Sequence, residues 1–144
     1  MKIDAKRTKI SQEHVTIIGF YPLAEVNTDR DRVRYETHYG TLSYSYGIGS
    51  QVVFEPEEAI ITGDRAIVVI EEYIEGVVDS VELGDFEHPK NAIYISGCSR
   101  YSHPSNYFTN FTHKVHIATR YPEYPLYGDQ VLAMAIFDRV NKQR

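Results

Sequence analysis

Several groups capable of chemistry lie at the ends of apolar segments in this 144-residue sequence. The single cysteine, Cys98, follows Ser96 and Gly97 at a turn where a thiol could be exposed, and Arg100 and His103 lie close in sequence. A reactive thiol needs a cation or base that lowers its pKa. Neither neighbour provides a convincing activating partner in sequence, so a role as a small apolar residue is favoured for Cys98.

The six histidines do not predict a metal site. His113 and His116 are three residues apart in a predicted strand, so their side chains point to opposite faces. The sequence contains no CxxC, HExxH or paired-acid spacing. Residues 47–49 (Gly-Ile-Gly) lack the third glycine and the following helix of a dinucleotide-binding loop. We therefore expect no metal.

A tyrosine-rich segment follows the alternating basic residues Arg30, Arg32 and Arg34. Steps of four, three and four residues place one apolar set on a single helical face: Tyr35, Tyr39, Leu42 and Tyr46. These rings have two interpretations. They are either stacking platforms for unpaired bases, worth about 1–3 kcal/mol per base, or buried packing residues. Burial is favoured for the rings, and a solvated helix face is favoured for the arginines.

The composition is that of one soluble globular domain, residues 1–144. The 42% hydrophobic and 24% charged residues exclude disordered and collagen-like classes. No apolar run approaches the roughly 20 residues that span a bilayer, and the N-terminus lacks the apolar stretch of a signal peptide. A single cysteine fits a reducing compartment, so we expect a cytoplasmic protein with no membrane partner. The net charge of −5 argues against strong non-specific binding to nucleic acid.

The element pattern predicts an α/β fold with a mainly parallel sheet flanked by helices. Short β-branched runs predict strands at 14–20, 51–54, 66–70, 91–96 and 114–118, and helical spacing predicts helices at 30–46 and 126–140. A polar, aromatic loop joins the fourth and fifth strands at 98–111. Ligands of open α/β sheets bind at the carboxyl ends of the strands, which makes the residues after 20, 96 and 118 candidates.

Three segments, taken in order, resemble the SPOUT superfamily, closest to its TrmH-type (SpoU-type) branch. Residues 88–97 are similar to the family's "HPe.AvyifG" strand and glycine turn. Residues 45–54 look like its "aFGv..vvl" segment. Ile117 followed by 125–127 and 135–139 resembles its closing "IP…SLN…AaaIvlyDR" segment. The order and spacing of these motifs hold over nearly the whole chain.

The resemblance implies a deep trefoil knot at the C-terminus, a pocket for S-adenosylmethionine built from the knot loops, and an obligatory homodimer. The chain length is similar to that of the smallest, TrmL-like members, which methylate a ribose 2′-hydroxyl in a tRNA anticodon loop. S-adenosylmethionine is therefore the expected cofactor, and RNA, with tRNA first, is the expected partner. His88 matches the family pattern, and a structural role is expected for it.

The sequence departs from the family at its polar signatures. The family's first-helix arginine falls at Thr41 in an ungapped alignment, and its acidic "GpE.GL" turn is replaced by residues 97–104. Its Ser-Leu-Asn signature is here Pro125-Leu126-Tyr127, which lacks both the serine hydroxyl and the asparagine amide. These changes put methyl transfer by the family's usual route in doubt.

Cofactor binding is less affected, because the family holds the adenine and ribose mostly through backbone groups, which survive side-chain replacement. The resemblance assigns cofactor contacts to nine residues: Ile95, Ser96, Gly97, Cys98, Ile117, Ala118, Pro125, Leu126 and Tyr127.

Ribose methylation needs the 2′-hydroxyl aligned with the sulfonium methyl group and its proton drawn away. One of Arg30, Arg32 and Arg34 is a catalytic candidate if the first helix is shifted by one or two turns in the alignment, and Arg34 is the one selected. Tyr127 is the second candidate, because it can hydrogen-bond a ribose or stack on a base, and packing or a dimer contact explains it equally well.

Three functions remain open from the sequence. The leading one is an S-adenosylmethionine-dependent RNA ribose 2′-O-methyltransferase or a divergent relative of one. The alternative is a catalytically inactive, homodimeric binding protein that kept the SPOUT fold and lost methyl transfer. The third is a different S-adenosylmethionine reaction, with Tyr127 or Cys98 in new roles, because function is set by the site rather than by the fold.

Overall fold

A computed structural model describes residues 15–22, 29–61, 63–71, 79–97, 103–121, 124 and 126–143. Within these ranges two helices, α1 (Asp29–Tyr46) and α2 (Gly128–Lys142), accompany a six-stranded sheet. The strands are β1 (Val15–Phe20), β2 (Gly49–Val53), β3 (Ala66–Glu71), β4 (Val81–Glu82), β5 (Ala92–Gly97) and β6 (His113–His116). Short 3₁₀ turns lie at Pro56–Glu58, Leu83–Asp85 and Pro104–Asn106.

The sheet has the order β2-β1-β5-β3-β6-β4, and every strand pair in the described chain is parallel. The predicted α/β class, its parallel sheet and all five predicted strands are confirmed, with strand ends that differ by at most two residues. The sequence pattern missed β4, because a two-residue strand with exposed side chains has no apolar run to mark it. Neither described helix combines the length and apolar character needed to cross a membrane.

Both faces of the central strands are covered, which explains their continuous apolar runs. The helices pack on one face, where Leu132 and Ile136 of α2 contact the same cluster as Ile17 and Val68. The opposite face holds a second cluster, closed by Phe108 and by side chains from 59–61. The sheet is therefore the middle layer of three.

Tyr39 fixes α1 against the sheet. Its ring is fully buried and lies directly over Gly19, where a Cβ atom would overlap the ring. Tyr35, Leu42 and Tyr46 pack beside it on the predicted helix face. Burial is thus confirmed for Tyr39.

The C-terminal half of α2 is held by a polar network of residues that the sequence motifs single out. His88 Nδ1 is 2.7 Å from the Tyr94 hydroxyl, and His88 Nε2 is 2.7 Å from a carboxylate oxygen of Asp138. Arg139 donates to the Tyr94 hydroxyl at 3.0 Å and to the carbonyl oxygen of Lys90 at 2.8 Å. Hydrogen bonds therefore join the motif that begins at His88 to the closing motif at 138–139. This is the structural role expected for His88.

Burial sets the protonation of this network. It lowers the pKa of His88, although the adjacent Asp138 opposes the shift. Burial also raises the pKa of Tyr94 against the opposing effect of Arg139. For Asp138, burial acts to raise the pKa, but hydrogen bonds from Lys142 and His88 outweigh it and leave the pKa lowered. A neutral His88 then donates from Nε2 to the carboxylate and accepts from the tyrosine at Nδ1.

This network predicts a loss of stability in mild acid. The native pKa of His88 lies below its ordinary value of 6.5, so below that pH the unfolded chain binds a proton that the native chain does not. The free energy of unfolding should therefore fall between pH 7 and 5, with His88 contributing at most about 1.4 kcal/mol per pH unit. Urea denaturation at several pH values measures this slope.

His88→Gln should be less stable at pH 8 and should show a flatter slope between pH 7 and 5. The matched control is His113→Gln, because His113 is an exposed histidine of β6. Asp138 titrates below this pH window, since its pKa is lowered from 3.8. An unchanged slope in the His88 variant would contradict the assignment.

Candidate functional site

A cleft of about 450 Å³ opens between α1 and the start of α2, beside the carboxyl end of β1. Its lining combines hydroxyl, guanidinium, imidazole and carboxylate groups. The residues are Tyr21, Arg34, Tyr35, His38, Tyr127, Gly128, Asp129 and Gln130. Both catalytic candidates from the sequence, Arg34 and Tyr127, therefore line one cleft, and their catalytic roles stay predictions.

A chain of hydroxyl groups runs from the cleft into the core. Tyr21 donates to the Tyr39 hydroxyl oxygen at 2.9 Å, and that oxygen lies 3.3 Å from Ser96 Oγ. Ser96 in turn donates to the carbonyl oxygen of Gly128 at 3.2 Å. The chain ties the end of β1, α1, the end of β5 and the first residue of α2 to one another.

Gly128 is the position where α2 comes closest to β5. A Cβ atom at this position would lie 2.5 Å from the Gly97 carbonyl oxygen and 2.6 Å from the Tyr39 hydroxyl. Only glycine allows this approach without displacing the backbone of β5. Gly128 was not predicted from the sequence, although a glycine between Tyr127 and Asp129 at a helix start is an available signal.

Gly128→Ala should lower the free energy of unfolding by about 1–3 kcal/mol, because the added methyl overlaps backbone atoms that have no room to move. The matched control is Gly40→Ala. A Cβ atom at Gly40, inside α1, would meet nothing within 4 Å, so this variant should gain up to about 1 kcal/mol from helix propensity. Urea denaturation of both variants tests the contrast, and equal effects would contradict it.

Aromatic stacking orders the wall on the α1 side. The rings of Tyr21 and Tyr35 are stacked, with centroids 3.8 Å apart and planes 9° apart. The Arg34 guanidinium carbon lies 5.3 Å from the centre of the Tyr35 ring. Tyr35 therefore stacks on a ring of the protein itself. Tyr127, whose side chain is 70% exposed, is the better candidate for stacking on a base.

A contact between the His38 imidazole and the Asp129 carboxylate joins the two described helices across the cleft. Nδ1 of the imidazole lies 3.4 Å from a carboxylate oxygen. These two residues also line a second, shallower hollow that contains Thr41, the position of the family's arginine. Arg34 lines the cleft with Tyr127. Thr41 lines the neighbouring hollow instead, and its hydroxyl donates a hydrogen bond to the Thr37 carbonyl oxygen.

The nine predicted cofactor contacts occupy different environments. Ile95 and Ser96 are buried within the central strand, where Ser96 uses its hydroxyl in the chain from Tyr21. Gly97 ends β5 next to Gly128, and Ile117 packs against the core just after β6.

Ala118 and Tyr127 are exposed, and Leu126 is half-buried. Cys98 and Pro125 lie outside the described residues. The nine assignments stay predictions.

A second polar cluster lies at the carboxyl end of β3. A carboxylate oxygen of Glu71 accepts a hydrogen bond from the Ser105 backbone N–H at 2.7 Å, and its other oxygen is 3.2 Å from His103 Nδ1. His103 Nε2 is buried and has no hydrogen-bond partner among the residues that the structure describes. The sequence marks His103 only as a neighbour of Cys98, and it does not mark Glu71 at all. No local pattern predicts a contact between segments so far apart in sequence.

The described ranges contain no group of three His, Cys, Asp or Glu side chains that could hold a metal ion.

Comparison with solved structures finds the fold of a SpoU methyltransferase. The crystal structure of AviRb from Streptomyces viridochromogenes, in complex with AdoMet, matches with a TM-score of 0.63 and 11% sequence identity. The match covers 99% of this chain and 63% of AviRb, so this chain spans less than two thirds of its length. No protein-family model and no curated protein sequence matches. At this identity the match shows the fold alone, and it agrees with the resemblance in the sequence.

Proposed function

We propose that this protein binds S-adenosylmethionine and transfers its methyl group to RNA, at a ribose 2′-hydroxyl and with tRNA as the first candidate substrate. The observation that carries the proposal is the convergence of Arg34 and Tyr127 in one cleft of a SpoU-type fold. The two residues are distant in sequence. We further propose that the protein acts in the cytoplasm and that its C-terminal segment forms the trefoil knot.

We place the cofactor at the carboxyl ends of the central strands. A glycine ends β5, and Gly128 faces it at close approach, so backbone groups rather than side chains meet there. The unpartnered Nε2 of His103 adds a buried polar atom near the same edge of the sheet. When bound, S-adenosylmethionine supplies an electrophilic methyl group on its sulfonium.

Arg34 and Tyr127 would act on the methyl acceptor. A guanidinium stays charged at all relevant pH values, so Arg34 can donate to a ribose hydroxyl oxygen and stabilise the negative charge that develops as the hydroxyl gives its proton to water in the open cleft. Tyr127 presents an exposed ring and hydroxyl at the mouth of the cleft, where it can stack on a base or hydrogen-bond its ribose. In this arrangement Arg34 takes the role of the arginine that the sequence lacks at Thr41.

The first test is calorimetric titration with S-adenosylmethionine and S-adenosylhomocysteine, followed by assay of methyl transfer to total tRNA and nucleoside mass spectrometry. We expect micromolar binding and a 2′-O-methylated nucleoside. Arg34→Ala should slow transfer by about 10²–10³-fold, because it removes a donor to the reacting oxygen, and should leave cofactor affinity within about threefold.

Arg32→Ala is the matched control, because Arg32 lies on the same helix with its guanidinium 4.0 Å above the Phe54 ring, outside the cleft. It should keep full transfer. Equal loss in both variants would contradict a role for Arg34 in the reaction. Binding without transfer to any RNA would support the inactive binding protein, and no binding at millimolar ligand would exclude the cofactor.

A homodimer is proposed because large apolar side chains remain uncovered on both helices. Val33 and Tyr44 of α1 are 62% and 90% exposed, and Met134 and Phe137 of α2 are 43% and 58% exposed. Large apolar side chains exposed on a helix face can be covered by a partner chain.

Light scattering at micromolar protein should therefore give twice the chain mass of 16.6 kDa. Phe137→Asp should shift the protein toward monomer, since it places a charge where an apolar ring would be covered. The matched control is Asn141→Asp, because it adds the same charge at an exposed position of the same helix and removes no apolar side chain. A monomeric mass for the unaltered protein would contradict the proposal.

A further inference from the structure

The cluster of Glu71 and His103 contains a hydrogen-bonding atom that the fold itself does not use. Both side chains are largely buried, with 9% and 14% of their surfaces exposed. Glu71 is satisfied by Ser105 and by His103 Nδ1, but His103 Nε2 is buried without a partner. Leaving a polar atom buried and unpaired costs about 1–3 kcal/mol, so such an atom is expected to have a partner in the working protein.

Glu71 determines what His103 can bind. An ionised carboxylate only accepts hydrogen bonds, so the imidazole proton lies on Nδ1, directed at Glu71. When the ring is neutral, Nε2 is then an acceptor, which an N–H or O–H donor satisfies. A donor group therefore suits the neutral ring.

The position of the pair in the sheet indicates which ligand provides that donor. Glu71 is the last residue of β3, where Ile70 is in register with Ser96 of β5 and Glu71 with His116 of β6. Of the predicted cofactor contacts, Gly97 ends the first of these neighbouring strands and Ile117 directly follows the second. The pair therefore lies between the two strand ends assigned to the cofactor, on the sheet face opposite α1 and α2.

We propose that His103 contacts the cofactor: its Nε2 accepts a hydrogen bond from the adenosyl part of S-adenosylmethionine, through the adenine amino group or a ribose hydroxyl. Glu71 is the positioning residue that fixes the tautomer. This inference rests on the proposed function, because it assigns a residue to that cofactor site. It adds a side-chain contact to a site otherwise attributed to backbone groups.

The test is titration of S-adenosylhomocysteine into the full-length protein and its variants. His103→Phe keeps a flat ring without the nitrogen and should weaken binding by about ten- to a hundredfold, as expected for loss of a buried hydrogen bond. His103→Gln keeps a hydrogen-bond acceptor, so its affinity should lie between those of the unaltered protein and His103→Phe. Asn106→Ala is the control, because this exposed residue lies in the same 3₁₀ turn and should keep full affinity.

Nitrogen-15 NMR of the imidazole in the unaltered protein gives a second readout that does not depend on any variant folding. Saturating S-adenosylhomocysteine should shift the Nε2 resonance of His103 and leave Nδ1 nearly unchanged. An unmoved Nε2 resonance, or full affinity in His103→Phe, overturns the inference and leaves the proposed function standing. Failure of the unaltered protein to bind the ligand overturns both.

Discussion

The close contact between Gly128 and the end of β5 is the constraint on which the candidate site depends. It places the first turn of α2 against Gly97 and lets the hydroxyls of Tyr39 and Ser96 reach between them. Without that approach, Tyr127 would move away from α1 and the cleft with Arg34 would widen. Gly19 on β1 permits a similar close approach, because the Tyr39 ring occupies the space that a side chain at this position would need.

The C-terminal end of α2 is held by hydrogen bonds from two basic side chains. There a buried guanidinium, Arg139, satisfies backbone carbonyls and the Tyr94 hydroxyl, while Lys142 donates to the carbonyl oxygens of Leu83 and Phe86 at 2.9 Å. Steric fit at one end and hydrogen bonding at the other therefore fix the helix independently. A change at either end is felt locally before it reaches the other.

The sequence predicted those parts of the molecule that depend on local pattern. Apolar runs predicted β1, β3 and β5, and helical spacing predicted the burial of Tyr39, because burial imposes a period that residues near in sequence display. The contacts of Gly128 and the pair of Glu71 and His103 were not predictable, since each depends on distant segments meeting. The two catalytic candidates were chosen by chemistry and motif position, and only the fold shows that they line one cleft.

Fixing α2 at both ends has a consequence for how the molecule meets a ligand. With α2 held in this way, adjustment to a ligand of the proposed kind would fall to side chains such as Tyr127 and Arg34, which would give up rotational freedom on contact. Discrimination between the proposed ligands would then come from shape already present in the unliganded protein rather than from closure around them.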